Sequence, residues 1–201
     1  MNLKTMTRAA LVAAASLSLA ACGINSVPAA EEEAKAKWAD VEAQFQRRAN
    51  LIPNLAEVAK GAAENERGIL TEVTEARARA TSVTVSADDL GDEAKMAELA
   101  QAQGQLSQGL GRLLASFEAY PTIQSNQNFL ALQSQLEGTE NRISVAIRDY
   151  NEAVRKYNTT IRTFPDTIGA NIIHGAEPLV PYSSVTEGAE EAPELDLTAN
   201  S

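Results

Sequence analysis

The stretch Asn126–Phe164, NQNFLALQSQLEGTENRISVAIRDYNEAVRKYNTTIRTF, places apolar or small residues at alternating steps of three and four. They are Phe129, Leu132, Leu136, Thr139, Ile143, Ile147, Tyr150, Val154, Tyr157, Ile161 and Phe164. This spacing keeps one face of an α-helix apolar for about ten turns. Consecutive steps of four at Thr139, Ile143 and Ile147 are the one break in a strict heptad, a local loosening of any supercoil. No proline lies between Leu130 and Thr163. At ~1.5 Å per residue the helix would run roughly 55 Å, too long to be enclosed in a globule of this size, so other helices must lie along it.

Two segments upstream repeat the period. From Glu31, the residues Ala34, Trp38, Val41 and Phe45 share a face, and Glu31, Glu32 and Glu33 suit a helix start, where the dipole favours anions. Trp38, the one tryptophan, reads as a core or interface anchor on that face. Asn50 is a good N-cap, and Pro53 in the next turn lacks a donor that a helix start would not use, so a new helix or a kink is expected here. The face continues through Ile52, Leu55, Ala59, Ala62, Glu66, Ile69, Val73, Ala76, Ala80 and Val83. Its phase passes from Phe45 through Arg48 to Ile52, which leaves one long helix bent at Pro53 as the alternative. The β-branched run Thr81–Ser86 reads as a loop.

Ser86-Ala87-Asp88-Asp89 precedes a third helix bearing Met96, Leu99, Leu106, Leu110, Leu113, Phe117 and Tyr120, which should stop at Pro121. Gly104, Gly109 and Gly111 inside it point to close approach of another backbone. Asn126 or Ser125 would cap the long helix. After Phe164-Pro165, the residues Gly169, Gly175, Pro178 and Pro181 exclude a long helix. The expected fold is therefore all-α: an elongated antiparallel bundle of about four long helices over 31–165, an extended segment packed on it over 166–186, and an acidic tail over 187–201.

Residues 1–21 form a separate object. Lys4 and Arg8 give a cationic start, and Ala9–Ala21 is a thirteen-residue small or apolar run. A membrane span needs ~20 apolar residues, so this is a signal-peptide core. Leu19-Ala20-Ala21-Cys22-Gly23 resembles a lipobox, at which bacterial lipoproteins are cleaved and acylated on the cysteine thiol. Small side chains admit the peptidase, and only cysteine supplies the sulfur for a thioether to diacylglycerol. Cys22 is the sole cysteine, so a disulfide within the chain is excluded and lipidation at Cys22, including palmitate, is expected. Two or three acyl chains anchor stably where one would not. Residues 22–30 would be a tether. The resemblance to lipoproteins implies that Gly23 after the cysteine directs the protein to the outer membrane, facing the periplasm, in a two-membrane cell. Loss of Lys4 and Arg8 with the leader moves the net charge from −10 to about −12, which disfavours nucleic acid and unaided adhesion to anionic lipid.

Reactive chemistry is sparse. His174 is the only histidine and sits in a glycine-rich segment, so no metal set or cofactor is expected. The carboxylates fall mostly on helical faces that read as solvated, with Glu66 the exception: it occupies a seam position and is expected to pair with Arg142 or Arg112. Arg148, Arg155 and Arg162 repeat every seven residues, as do Asn151 and Asn158. They form a row suited to acidic side chains on a neighbouring helix or on the C-terminal tail, or else a solvated face with pairs such as Arg148 with Glu152.

Trp38, then Gln46–Leu55, Val58–Gly61, Thr74–Arg77, Gly111–Leu114, Glu118–Pro121 and Asn128-Phe129 together resemble the LemA family. So do Gly138–Ile143, Asp149–Val154, Tyr157-Asn158 and Phe164-Pro165, and the likeness runs from about Lys37 to Leu197. The resemblance implies an extracytoplasmic, membrane-tethered bundle with no established enzymatic reaction. Family members usually carry an N-terminal membrane helix, whereas this chain looks lipidated. A histidine frequent in the family near Asn65 is absent, and the usual late aromatic pair is reduced to Tyr182. The expected function is a non-enzymatic scaffold or adaptor of the bacterial cell envelope, held by acylated Cys22 and meeting an unidentified envelope protein or further copies of itself. The alternative is a small-ligand-binding or accessory hydrolytic module using an inter-helix groove near Arg47, Arg48 and Asn54. The residues singled out for interaction are Arg47, Arg48, Asn50, Pro53, Asn54, Glu66, Arg148, Asn151, Arg155 and Asn158.

Overall fold

The computed structural model describes residues 3–58 and 64–183, with side chains from Asn25 onward except at 59–66 and 122. Its elements are α1 (Leu3–Val58), α2 (Glu64–Ser82), α3 (Glu93–Ser116), α4 (Pro121–Gln124), α5 (Gln127–Thr160) and α6 (Asp166–Gly169). Short 3-10 turns cover Ala87–Asp89 and Phe117–Ala119, and a π turn covers Ala170–His174. No strand occurs among the described residues, and the fold is all-α.

Polar contacts between helices set their directions. Glu33 of α1 meets Lys156 of α5 at 2.6 Å, Gln44 meets Arg142 at 3.3 Å, and Arg48 meets Glu140 at 2.8 Å. Numbers rise along α1 as they fall along α5, so the two are antiparallel. Glu72 with Arg112, and Ala80 with Gln103, make α2 and α3 antiparallel in the same way. The core follows the bundle axis in three groups. Leu51, Ile52 and Leu55 of α1 pack with Leu106–Phe117 and with Phe129, Leu132 and Leu136. Trp38, Val41 and Phe45 pack with Met96, Leu99, Ile143 and Tyr150. At the end of the bundle Val27 and Ala30 pack with Tyr157, Ile161 and Ala170. Each large apolar side chain so enclosed contributes about 1.5–3 kcal/mol.

The long helix is where the periodicity put it: Asn126 caps α5 by accepting from the Asn128 amide, and the seam residues from Phe129 to Ile161 are buried except Ile147, which is half-buried. Ala146 and Ala153 are buried as well, widening the seam toward α1. Phe164 departs from the expectation, being 74% exposed, because the helix ends before it. The Ser86–Asp89 run precedes α3 as expected and forms a 3-10 turn of its own, while Asp92 caps α3 by accepting from the Ala94 and Lys95 amides. That helix stops at Ser116 rather than at Pro121, which instead opens α4 at a position needing no donor. Of the glycines, Gly109 does mark a close approach, since a Cβ there would lie 3.3 Å from Val73 Cγ2, whereas Gly111 faces open space.

Three N-terminal expectations are corrected. Residues 25–30 are not a loose tether: they belong to α1, with Val27 fully buried, because their apolar side chains complete the contact with the end of α5. Glu31–Glu33 therefore lie inside a helix, where Glu31 pairs with Lys35 and Glu33 with Lys156. Of the two readings at Asn50 and Pro53, the new helix is overturned and the single continuous helix holds: α1 runs through Pro53 to Val58, so Asn50 caps nothing. At the other end, 166–174 is helical and the extended path begins at Gly175, whose φ of 56° is left-handed. The side chains of Lys4, Arg8, Cys22 and Glu66, and the tail 187–201, lie outside the described residues.

Candidate functional site

Two seam positions carry polar residues that face one another across the bundle. Arg48 occupies the apolar face of α1 between Phe45 and Ile52, and Gln103 fills the seven-residue gap between Leu99 and Leu106 on α3. Arg48 is 1% exposed. Its Nη1 donates to Ser107 Oγ at 2.6 Å and to Glu140 Oε1 at 2.8 Å, while Nη2 donates to the side-chain oxygen of Gln103. Gln103 Nε2 in turn donates to the Ala80 carbonyl at the end of α2, at 3.3 Å. The guanidinium also lies over the Phe45 ring, 5.6 Å from its centroid. Arg48 Nε is buried and finds no partner among the described residues. One buried cation thus ties α1, α3 and α5 directly and α2 through an amide. A burial of this kind is tolerable only when nearly every donor is used.

Five residues on, Pro53 removes the amide that would have bonded the Ala49 carbonyl. Arg77 of α2 supplies the missing donor: its Nε reaches Ala49 O at 2.7 Å. The helix passes through proline because a neighbouring helix satisfies the group that proline frees.

The third construction is the extended segment 175–183, which lies along α5. Asn158 donates to Leu179 O at 2.8 Å and accepts from Leu179 N at 2.9 Å. One heptad earlier, Asn151 donates to Tyr182 O at 2.9 Å and accepts from Tyr182 N at 2.8 Å. Tyr150 donates its hydroxyl to Val180 O at 2.8 Å, and Val180 N donates to Leu90 O at 2.8 Å. Each asparagine offers one donor and one acceptor, the complement of a single residue's main chain. The docked Tyr182 sits 5.8 Å from the Phe45 ring and 6.4 Å from Trp38, whose own indole donates to Val85 O at 2.7 Å. Burial pushes the Tyr182 hydroxyl up to about 12 and raises Tyr150 further. Between α1, α3, α5 and this segment is a cleft of about 400 Å³, with Arg48, Glu140 and Tyr182 among its walls.

The residues expected to form an interaction site divide accordingly. Arg48, Asn151 and Asn158 are internal fasteners. Arg47, Asn50 and Asn54 form an exposed stripe on α1, where Asn50 accepts from Gln46 Nε2 at 3.0 Å, and Pro53 is exposed beside it. Arg47 and Asn54 are therefore not gathered around a groove with Arg48, which points the other way, into the core. Arg148 and Arg155 are exposed and lie near Asp149 and Glu152 rather than in the Arg148–Glu152 pairing. Arg142 bonds Gln44 and Thr139, and Arg112 pairs with Glu72. Gln103, Ser107, Glu140, Arg77 and Tyr182 were not singled out; for Gln103 the signal was present, a polar residue on an apolar period. Among the described residues no set of His, Cys, Asp and Glu could hold a metal ion, and no helix is long and apolar enough to cross a membrane.

Residues 37–197 match the LemA family. The chain is 29% identical over 145 residues to magnetosome protein MamQ 2 of Paramagnetospirillum magneticum, covering 64% of this chain and 53% of that protein. It is 29% identical over 136 residues to magnetosome protein MamQ of Magnetospirillum gryphiswaldense, covering 60% and 50%. The chain spans about half the length of the curated relatives it matches.

Proposed function

The chain belongs to the LemA family, and on that premise we propose that it is a lipid-anchored helical scaffold of the bacterial cell envelope, acylated at Cys22 and presenting the bundle to another envelope protein. The observation that carries the reading is the direct passage from the lipobox-like stretch into the bundle: Cys22 and Val27 belong to the same helix, and Val27 is already core. An anchor at Cys22 would hold the bundle by its Val27 end with only four residues between. The internal chemistry supports a structural role, since the buried Arg48, the Arg77–Ala49 bond and the Asn151 and Asn158 clamps all fix helices or the C-terminal segment in place.

The test is crosslinking in intact cells followed by membrane fractionation and mass spectrometry, comparing the native protein with Cys22→Ser. The scaffold reading expects acyl mass on the Cys22 peptide, native protein in the detergent-extracted fraction, and a crosslinked partner that is lost in the variant. Native protein in the aqueous fraction, or an anchored protein with no partner above background, would overturn it.

A further inference from the structure

Large apolar side chains left in the open are few among the described residues, and four of them gather at one end of the bundle: Phe164 (74% exposed), Ile168 (48%), Ile172 (79%) and Ile173 (56%). They occupy the exit from α5, α6 and the π turn, with Phe164, Ile168 and Ile172 at steps of four. The one charged residue in the run from Phe164 to Ile173 is Asp166, and it is turned away: its carboxylate accepts from the Ser26 hydroxyl on α1. This bond also places the patch. Ser26 is four residues from Cys22, a reach of at most ~14 Å even if the backbone between them were fully extended. Arg162, two residues before Phe164, is exposed, and a cation so close in the chain suits anionic headgroups.

We infer that Phe164, Ile168, Ile172 and Ile173 form a membrane-contact patch that dips into the lipid surface beside the anchor. The inference rests on the lipid-anchor reading, because the anchor selects bilayer lipid over any other occupant. A thioether-linked diacylglycerol at Cys22 brings this end, and no other, to the headgroup layer. Apolar side chains in that layer bury ~5–10 Å deep. The patch turns a swinging tether into a two-point attachment and stands the bundle on its end.

Ile172→Trp and, as a distal control, Leu130→Trp at the 50% exposed start of α5, are made in the full-length acylated protein. Each is reconstituted in phosphatidylethanolamine–phosphatidylglycerol vesicles with or without brominated acyl chains. Trp38, the only native tryptophan, is 1% exposed in the core and serves as a constant background. Emission from the Ile172→Trp site should fall about twofold in brominated vesicles while the Leu130→Trp site is unchanged, as expected for bromine at interfacial depth. An acylated protein whose Ile172→Trp emission is unquenched overturns the patch and leaves the anchor standing. The same holds if the site is shielded only as protein concentration rises, which would assign the patch to a second copy. Absence of acyl mass on Cys22 in protein from cells overturns both.

Discussion

Arg48 is a residue whose worth lies in its neighbours. Removing Glu140 leaves a cation that is 1% exposed without its counter-ion, while Gln103 and Ser107 still accept from it. A fully buried pair loses about 3–5 kcal/mol on such a cut, but the Glu140 side chain is 45% exposed and solvent moderates the loss, so Glu140→Ala should cost about 2–3 kcal/mol in urea unfolding. Arg48→Met removes the charge and keeps the bulk; Glu140 then turns to water, while the buried Gln103 side-chain oxygen loses its donor, so the loss should be about 1–3 kcal/mol. A loss beyond that range would show that the cation itself is favourable. Pro53 and Arg77 form a second coupled pair. Arg77→Ala should cost about 1–2 kcal/mol by stranding the Ala49 carbonyl. In a Pro53→Ala background the restored amide takes that carbonyl, and the same substitution should cost much less; equal losses in both backgrounds would refute the coupling. The seam position of Arg48 was legible in the apolar phase, but its partners on α3 and α5 and the Arg77 donor were not. An N-cap reading of Asn50 and Pro53 obeyed local rules, and it failed because the compensating donor sits 28 residues away.

The extended segment 175–183 shows what periodicity can and cannot reveal about an element. The seven-residue repeat of Asn151 and Asn158 was plain, but it pointed to a row for charged partners; the side chains instead clamp a main chain, which has no sequence signature of its own. Asn151→Ala loses two bonds to Tyr182, worth about 1–2 kcal/mol together. Its amide should therefore exchange with solvent about tenfold faster, with Leu179 responding likewise in Asn158→Ala; unchanged exchange would mean the clamps do not hold the segment. Ionisation gives an independent handle. The Tyr182 hydroxyl titrates at about 12 in the fold against about 10 when unfolded, so the neutral form is favoured by docking. That contribution is complete below pH ~10 and is lost as pH rises through ~12. Alkaline release, followed by tyrosinate absorbance and near-ultraviolet dichroism, should start in that window and move to higher pH in Tyr182→Phe.

For the whole molecule, the all-α bundle and its antiparallel path could be read from apolar spacing, because burial of a helical stripe leaves its period in the sequence. The path of α1 was open to two readings: the apolar phase through Arg48 allowed the continuous helix that is found, but the choice at Pro53 depends on Arg77, and the helical course of residues 25–30 on packing against the end of α5, neither of which is local. The same dependence hid the fate of Phe164, whose place on the period says nothing of where the helix stops. The length of α5 has a further consequence. At ~1.5 Å per residue its 34 residues span about 50 Å. With the Val27 end at the lipid, the corner formed by α4 and the start of α5 would be held at that stand-off from the bilayer. A dye on Leu130→Cys, the one free thiol once Cys22 is acylated, should transfer energy to headgroup acceptors as at about 50 Å, whereas a bundle lying flat would give near-complete transfer. The bundle would then act as a spacer, and a partner meeting its far corner would have to extend that distance from the same membrane or approach from the opposite side.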